Sequence, residues 1–144
     1  MKRTFLTILI LLLATLMLSA QAKYEVTLSG LDQVPRVNTP AMGFVEVWVE
    51  SDTLYVSGTF EDLRGHYWAG HIQYGRKGET GHRHFRLKPT DLNEEKNSGR
   101  FDPEENKFPL RASQKEVLKN GHFYINIASN RHQQGEIRGQ IPPM

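Results

Sequence analysis

Most of the chain consists of short runs in which apolar and polar residues alternate. YEVTL at 24–28, GFVEVWVE at 43–50 and TLYVSGTF at 53–60 all follow a period of two. This period is typical of a β-strand with one face in a hydrophobic core. Because only Ser51 and Asp52 separate the second run from the third, the sequence predicts a hairpin there.

Later runs complete a mostly β picture. YWAGHIQYG at 67–75 and HRHFRL at 82–87 are predicted strands bounded by glycines, and a strand, a turn and a second strand are predicted within 120–143. One helix is predicted near 113–120, because Ser-Gln-Lys-Glu has the form of a capping box and Asn-Gly can end a helix. Short strands with frequent turns favour an all-β sandwich or barrel.

The first 22 residues have the layout of a secretory signal peptide. Lys2 and Arg3 precede an uncharged apolar run, and an A-x-A-like cleavage site follows it. The apolar run is fourteen residues long, whereas a membrane-spanning helix needs ~20. We therefore predict cleavage after Ala22, giving a signal peptide at 1–22 and one domain at 23–144 that is secreted or periplasmic.

Composition narrows the partners and the chemistry. The formal net charge is +2, from 18 basic and 16 acidic residues, but Lys2 and Arg3 belong to the predicted signal peptide. The remaining domain is formally neutral, so no nucleic-acid partner is predicted, and no membrane association is predicted after cleavage. The sequence has no cysteine, which excludes a disulfide framework and a cysteine-ligated metal.

The last predicted strand carries charges at alternate positions. Ile137 and Ile141 share one face and are predicted to point into the core, whereas Glu136 and Arg138 are predicted on an exposed outer face. Gly139 then marks an inward position where a bulky neighbour presses against the backbone. We interpret Glu136, Arg138 and Gly139 as a structural motif.

Three ordered motifs resemble the CHRD domain, a module named for chordin. They are LSGLDQVPRVNTPAMGF at 28–44, GHIQYG at 70–75 and YINIASNRHQQGEIRGQI at 124–141. The resemblance spans 24–141 and implies a secreted, all-β, Greek-key domain. In chordin the module belongs to a protein that binds growth factors. The second and third motifs are also similar to the copper/zinc superoxide dismutases, which implies a superoxide dismutase-like sandwich or barrel.

The histidines suggest an alternative, metal-binding function. The family pattern has histidines where this chain has Gln73 and Ala128, so the resemblance does not imply a copper site. His82 and His84 are two apart on a predicted strand. With His71 as a third donor they predict a zinc or copper site, and otherwise they lie on a solvated strand face.

Charge is distributed unevenly along the domain. One short segment holds five basic residues against a single carboxylate: Arg76, Lys77, Arg83, Arg86 and Lys88. The next segment, 91–106, is acidic and contains a D-x-N-x-E pattern that could hold Ca²⁺. The basic residues form either an anion-binding patch or a surface that the acidic segment neutralises.

The sequence predicts no catalytic site and no resident cofactor, because no nucleophile with a base, phosphate-binding loop or pair of fixed carboxylates is found. We predict an exported, non-catalytic binding or structural module with an extracellular protein or an anionic polysaccharide as its partner. A lectin-like binder is a further hypothesis, since Tyr67, Trp68 and Tyr74 are clustered on one strand.

Overall fold

The structure is a computed structural model that describes residues 21–144. Its strands are β1 (Tyr24–Ser29), β2 (Met42–Glu50), β3 (Thr53–Glu61), β4 (Tyr67–Tyr74), β5 (Arg83–Leu87), β6 (Pro89–Thr90), β7 (Gly99–Phe101), β8 (Lys107–Pro109), β9 (Phe123–Ser129) and β10 (His132–Gln140). A short 3-10 turn, Gly30–Asp32, follows β1, and one helix, α1, spans Ala112–Lys119. The predicted all-β class with one short helix is confirmed. The predicted signal peptide lies outside the described residues, except for Gln21 and Ala22.

The strands form one antiparallel sheet in the order β5-β4-β9-β10-β1-β2-β3-β7-β6, and β8 also pairs with β3. The order is not sequential, because β4 pairs with β9 and β1 pairs with β10. The first and last strands of the domain are therefore neighbours in the middle of the sheet.

The sheet curls until its edges nearly meet, and a buried asparagine joins them. Asn106, just before β8, accepts a hydrogen bond from the backbone N–H of Lys88 at 2.8 Å and donates one to the carbonyl of Lys88 at 2.9 Å. Lys88 follows β5. The amide thus takes the place of a strand residue at the seam, and the stacked rings of Phe85 and Phe108, 4.9 Å apart, pack beneath it.

The predicted hairpin is formed by β2 and β3, with Glu50 paired to Thr53. Ser51 and Asp52 have φ values of 47° and 60°, which matches the type I′ turn that suits a two-residue hairpin loop. Inward residues such as Val47 and Val56 are directly paired and fully buried. This hairpin therefore supplies one wall of the core.

The inward face of β10 is as predicted. Ile137 and Ile141 are fully buried in the core cluster. A Cβ atom at Gly139 would lie 2.6 Å from a methyl of Leu28 and 2.7 Å from one of Val26. Glycine is therefore required at this point of contact between β1 and β10.

The outer face of β10 is buried, so the prediction that Glu136 and Arg138 are exposed is wrong. Their relative exposures are 0% and 2%. The loop after β1 reaches Glu136 through the Thr39 hydroxyl, and the loop between β4 and β5 reaches Arg138 through the carbonyl of Glu79. Two loops therefore cover a face that alternation alone assigns to solvent.

Helix α1 begins one residue earlier than its predicted cap. The backbone N–H of Arg111 donates to Gln114 Oε1 at 2.9 Å, so Gln114, not Glu116, closes the first turn. The helix ends as predicted, with Gly121 at φ 68°. Within residues 21–144, no helix has the length and apolar character needed to span a membrane.

Candidate functional site

One face of the sheet carries polar side chains in two rows that cross β5, β4, β9 and β10. The first row consists of Arg86, His71, Asn126 and Arg138, each paired with the next. The second row consists of Arg83, Gln73, Tyr124 and Gln140. Directly paired residues project to the same side of an antiparallel sheet. These eight side chains, the polar face, therefore lie opposite the core.

A β-bulge places both arginines of β5 on this face. Phe85 pairs with Ile72 and Arg83 pairs with Gln73, which leaves His84 as the extra residue. A bulge shifts the alternation of side chains by one position. Arg83 and Arg86 therefore share a face although they are three residues apart.

A cavity of about 430 Å³, the amide pocket, opens on the polar face. Its lining residues are Gln33, Val34, Pro35, Gln73, Thr80, Gly81, Tyr124, Asn126, Gln134 and Arg138. Side chains of β4, β9 and β10 form the floor, and the loop after β1 and the loop before β5 form the walls.

The floor of the amide pocket is a chain of hydrogen-bonded amides. Gln33 Nε2 donates to Asn126 Oδ1 at 2.6 Å, and Asn126 Nδ2 donates to Gln73 Oε1 at 2.8 Å. Gln73 Nε2 donates to the Gly81 carbonyl at 2.9 Å and to the Tyr124 hydroxyl at 3.1 Å. Each amide is thereby fixed in one orientation, so this part of the floor is rigid and carries no charge.

Arg138 is a buried cation at the end of the first row. It donates to the carbonyls of Glu79 at 2.6 Å and Arg76 at 3.0 Å and to Gln140 Oε1 at 3.2 Å. Its guanidinium lies 3.6 Å from the centroid of the Tyr124 ring. Burial lowers the pKa of Arg138, but an arginine stays protonated in proteins. No carboxylate of residues 21–144 lies within 4.0 Å of this charge.

Glu136 is a buried anion on the same strand with a different role. Its Oε1 accepts hydrogen bonds from the Thr39 hydroxyl at 2.5 Å and from the Arg64 backbone N–H at 2.8 Å. Its Oε2 has no hydrogen-bond partner among the described residues. Glu136 therefore ties the loop after β1 to the loop before β4, and it does not line the amide pocket.

The predicted anion-binding residues form an exposed basic patch beside the amide pocket. Its members are Arg76, Lys77, Arg83, Arg86 and Lys88, and all five are exposed. Within the described part of the chain, none of their side-chain cations lies within 4.0 Å of a carboxylate, although the backbone N–H of Arg76 donates to Glu79 Oε2 at 3.3 Å. The patch is therefore not neutralised by direct ion pairs.

The acidic segment at 91–106 pairs instead with its own cations. Arg100 contacts Asp91 at 2.9 Å, and Lys107 contacts Glu104 at 2.8 Å. No direct ion pair therefore joins this segment to the basic strand among the described residues, and three of its carboxylates, Glu94, Glu95 and Glu105, form no ion pair there. Asn93, the middle position of the D-x-N-x-E pattern, is occupied by hydrogen bonds from the next turn.

The positive charge of the patch affects the pKa of His71. Partial burial lowers the pKa of its imidazole, and the charges of Arg83 and Arg86 lower it further. The two arginines therefore act electrostatically on the strand that forms the pocket floor.

The three histidines proposed as metal ligands are not brought together. His71 lies on the polar face, whereas the ring of His84 packs against Phe123 on the core side, with 5.2 Å between centroids. His82 precedes β5. Residues 21–144 contain no group of three or more His, Cys, Asp or Glu side chains placed to hold a metal ion. The bulge at His84 is the physical reason for the separation.

The three aromatic residues of β4 do not form one platform. Trp68 is exposed, but the Tyr67 hydroxyl donates to the Leu87 carbonyl at 3.2 Å, and burial raises the pKa of Tyr67 well above its ordinary value. Tyr74 lies edge-on to His122 at the other end of the strand. The arrangement that suggested a lectin-like surface is therefore absent from this strand.

Sequence reasoning missed the residues that form the pocket floor as a site. Asn126 stands between Ile125 and Ile127 in a strand whose every residue is buried. Asparagine is depleted in strands, so a polar amide inside an apolar run was the available signal. Gln33 gave no signal, because only the fold brings it to β9.

The fold and the site define an all-β domain with a rigid pocket, lined by amides and by the buried cation Arg138, beside an exposed basic patch. The chain belongs to the CHRD domain family, whose model matches residues 24–141. Domains of this family are generally non-catalytic modules that occur in secreted and extracellular proteins, and the match does not specify a ligand. No match was found among curated proteins or among solved structures.

Proposed function

We propose that this chain is an exported, non-catalytic module that binds an anionic extracellular polysaccharide on its basic patch. The observation that carries the proposal is that five exposed cations lie on β5 and on the loop segments at either end of it, while no carboxylate of the described residues forms an ion pair with their side chains. Unpaired cations on one side of a domain attract a polyanion and are available to contact it.

The geometry suits a ligand with several separated charges. The bulge places Arg83 and Arg86 on the same face of β5, while Arg76 and Lys77 lie on the neighbouring loop. Arginine forks bind carboxylates and sulfates with two parallel hydrogen bonds. A polymer can engage both groups at once, whereas a small anion can engage only one.

The chemistry of the polar face supports binding without catalysis. The pocket floor is made by Gln73, Asn126 and Tyr124, and the two amides cannot take up or release a proton near neutral pH. The buried carboxylate of Glu136 is occupied by Thr39 and Arg64. These groups therefore do not support a role for the pocket in general acid–base catalysis.

The proposal is tested by calorimetric titration with polygalacturonate at two salt concentrations. Arg83→Ala/Arg86→Ala removes two charges from the patch, and Lys115→Ala/Lys119→Ala removes two exposed charges from α1 as the matched control. We expect the patch variant to bind about tenfold more weakly, a loss of ~1.4 kcal/mol, and the control to stay within about twofold. Added salt should weaken wild-type binding, because exposed charges are screened.

Equal losses in the two double variants would show that only net charge matters and would contradict a defined patch. Binding of an acidic extracellular protein, with no binding of polygalacturonate, would favour the other predicted partner class instead.

A further inference from the structure

We propose that the amide pocket binds one uronic acid residue of the polymer, with the sugar carboxylate directed at Arg138 and the sugar hydroxyls at the pocket's unused polar groups. This inference rests on the proposed function, because it assigns a sugar subsite beside the basic patch. It concerns different residues, so the two can fail separately.

The first support is the set of polar groups left unused in the pocket. Tyr124 Oη accepts hydrogen bonds from Gln73 Nε2 and the Gly81 N–H, and it donates none within residues 21–144. Gln33 Oε1 and the Thr80 hydroxyl are likewise without hydrogen bonds in that range. Sugar hydroxyls both donate and accept hydrogen bonds. They therefore complement the Tyr124 hydroxyl as a donor, Gln33 Oε1 as an acceptor and the Thr80 hydroxyl as either.

The second support is the charge of Arg138. The guanidinium has five N–H groups, and it donates three hydrogen bonds to partners among the described residues. The side chain is 2% exposed, and no carboxylate of residues 21–144 lies within 4.0 Å of it. A ligand carboxylate would supply a counter-charge in direct contact with Arg138, where low polarity strengthens the contact.

Arg138 borders two cavities, and an acidic side chain in one of them favours the amide pocket as the anion site. Asp32 and Lys77 line a separate cavity of about 200 Å³ that also reaches Arg138. The carboxylate of Asp32 would repel an anion there. Asp32 does not line the amide pocket, so an anion in the pocket meets Arg138 without the Asp32 carboxylate as a direct neighbour.

Size and shape agree with a single sugar ring. The cavity volume of about 430 Å³ lies within the range of about 300–1,000 Å³ for small-ligand sites. Val34 and Pro35 form an apolar wall against which the C–H face of a ring can pack. The rigid amide floor requires little rearrangement on binding, which preserves affinity.

The position of the pocket connects it to the patch. Gln73 in the floor is the direct strand partner of Arg83, and neighbouring strands lie ~4.8 Å apart. A ring seated over β4 and β9 therefore leaves the next acidic sugar of the same polymer beside β5. One chain can occupy the pocket and the patch together.

The test separates sugar recognition from charge attraction by using two probes, trigalacturonate and dextran sulfate. Arg138→Ala can disturb the loop that Arg138 holds, so the decisive variant is Thr80→Trp, which fills the pocket from an exposed rim position without changing charge. Thr59→Trp places the same residue at an exposed position of β3 and serves as the control.

We expect Thr80→Trp to weaken trigalacturonate binding about tenfold through a steric clash, with dextran sulfate binding within about twofold of wild type. Thr59→Trp should change neither. If Thr80→Trp binds trigalacturonate like wild type, the sugar subsite is overturned while the patch stands. If neither probe binds the wild type, the proposed function fails first. Equal binding of neutral maltotriose and trigalacturonate would overturn the role of Arg138.

Discussion

Replacing Glu136 by alanine and by glutamine tests the burial of the outer face of β10. Glu136 is fully buried, and its Oε1 accepts hydrogen bonds from the Thr39 hydroxyl and the Arg64 N–H. Alanine removes that acceptor and leaves both donors without a partner. Glutamine keeps an oxygen at the position of Oε1, removes the charge and places an NH2 group at the position of Oε2, which has no hydrogen-bond partner among the described residues.

The two substitutions should differ by several kcal/mol. A hydrogen bond to a charged group contributes ~1.5–3 kcal/mol, so the loss of two such bonds lowers the free energy of unfolding by about 3–6 kcal/mol in Glu136→Ala. In Glu136→Gln the weaker neutral bonds are offset by removal of a buried charge that has no cation within 4.0 Å. The net change should stay within ~1 kcal/mol of zero.

Urea unfolding followed by circular dichroism gives both values, with Ile137→Ala as a reference core truncation expected to cost ~2–5 kcal/mol. Losses below ~1 kcal/mol in both variants would mean that Glu136 lies on an exposed face, as alternation alone predicts. If glutamine cost as much as alanine, the charge and not the position of the acceptor would hold the loops.

Three further outcomes are expected. Asn106→Asp should destabilise more than Asn106→Ala, because a carboxylate would face the Lys88 carbonyl that the amide now binds; thermal melting compares them. Arg86→Ala should raise the pKa of His71 towards its ordinary value of ~6.5, as read from imidazole NMR titration. Because the folded-state pKa is lowered, the contribution of His71 to stability is complete above ~6.5 and declines as pH falls below it. The intact mass of the exported protein should correspond to a chain that begins at Lys23, and retention of residues 1–22 would contradict signal-peptide cleavage.

The strands could be predicted because each depends on local alternation. The β2–β3 hairpin, with its two turn residues at positive φ, needs no information from elsewhere in the chain. The inward placement of Ile137 and Ile141 is correct for the same reason. These features follow from a period of two and from turn chemistry.

The coverage of the second face could not be predicted, because distant loops create it. An alternating pattern with polar residues such as Glu136 and Arg138 looks the same in the sequence whether that face is exposed to water or covered by loops. Here loops cover it and supply the hydrogen bonds. The bulge at His84 is also invisible in the sequence, since it arises from the pairing of β5 with β4. One inserted residue reversed the expected position of that histidine and so removed the predicted metal site.

The most direct test of the proposed binding site is chemical-shift mapping on nitrogen-15-labelled protein during titration with oligogalacturonate. The largest shifts should fall on β4, β5 and the loop between them, including the backbone amides of Gln73 and Arg83 and the guanidinium of Arg138. Amides on the outer face of the β2–β3 hairpin, around Phe44 and Trp48, should not move. Shifts concentrated on that hairpin, or no saturable shifts, would contradict a polysaccharide site on the polar face.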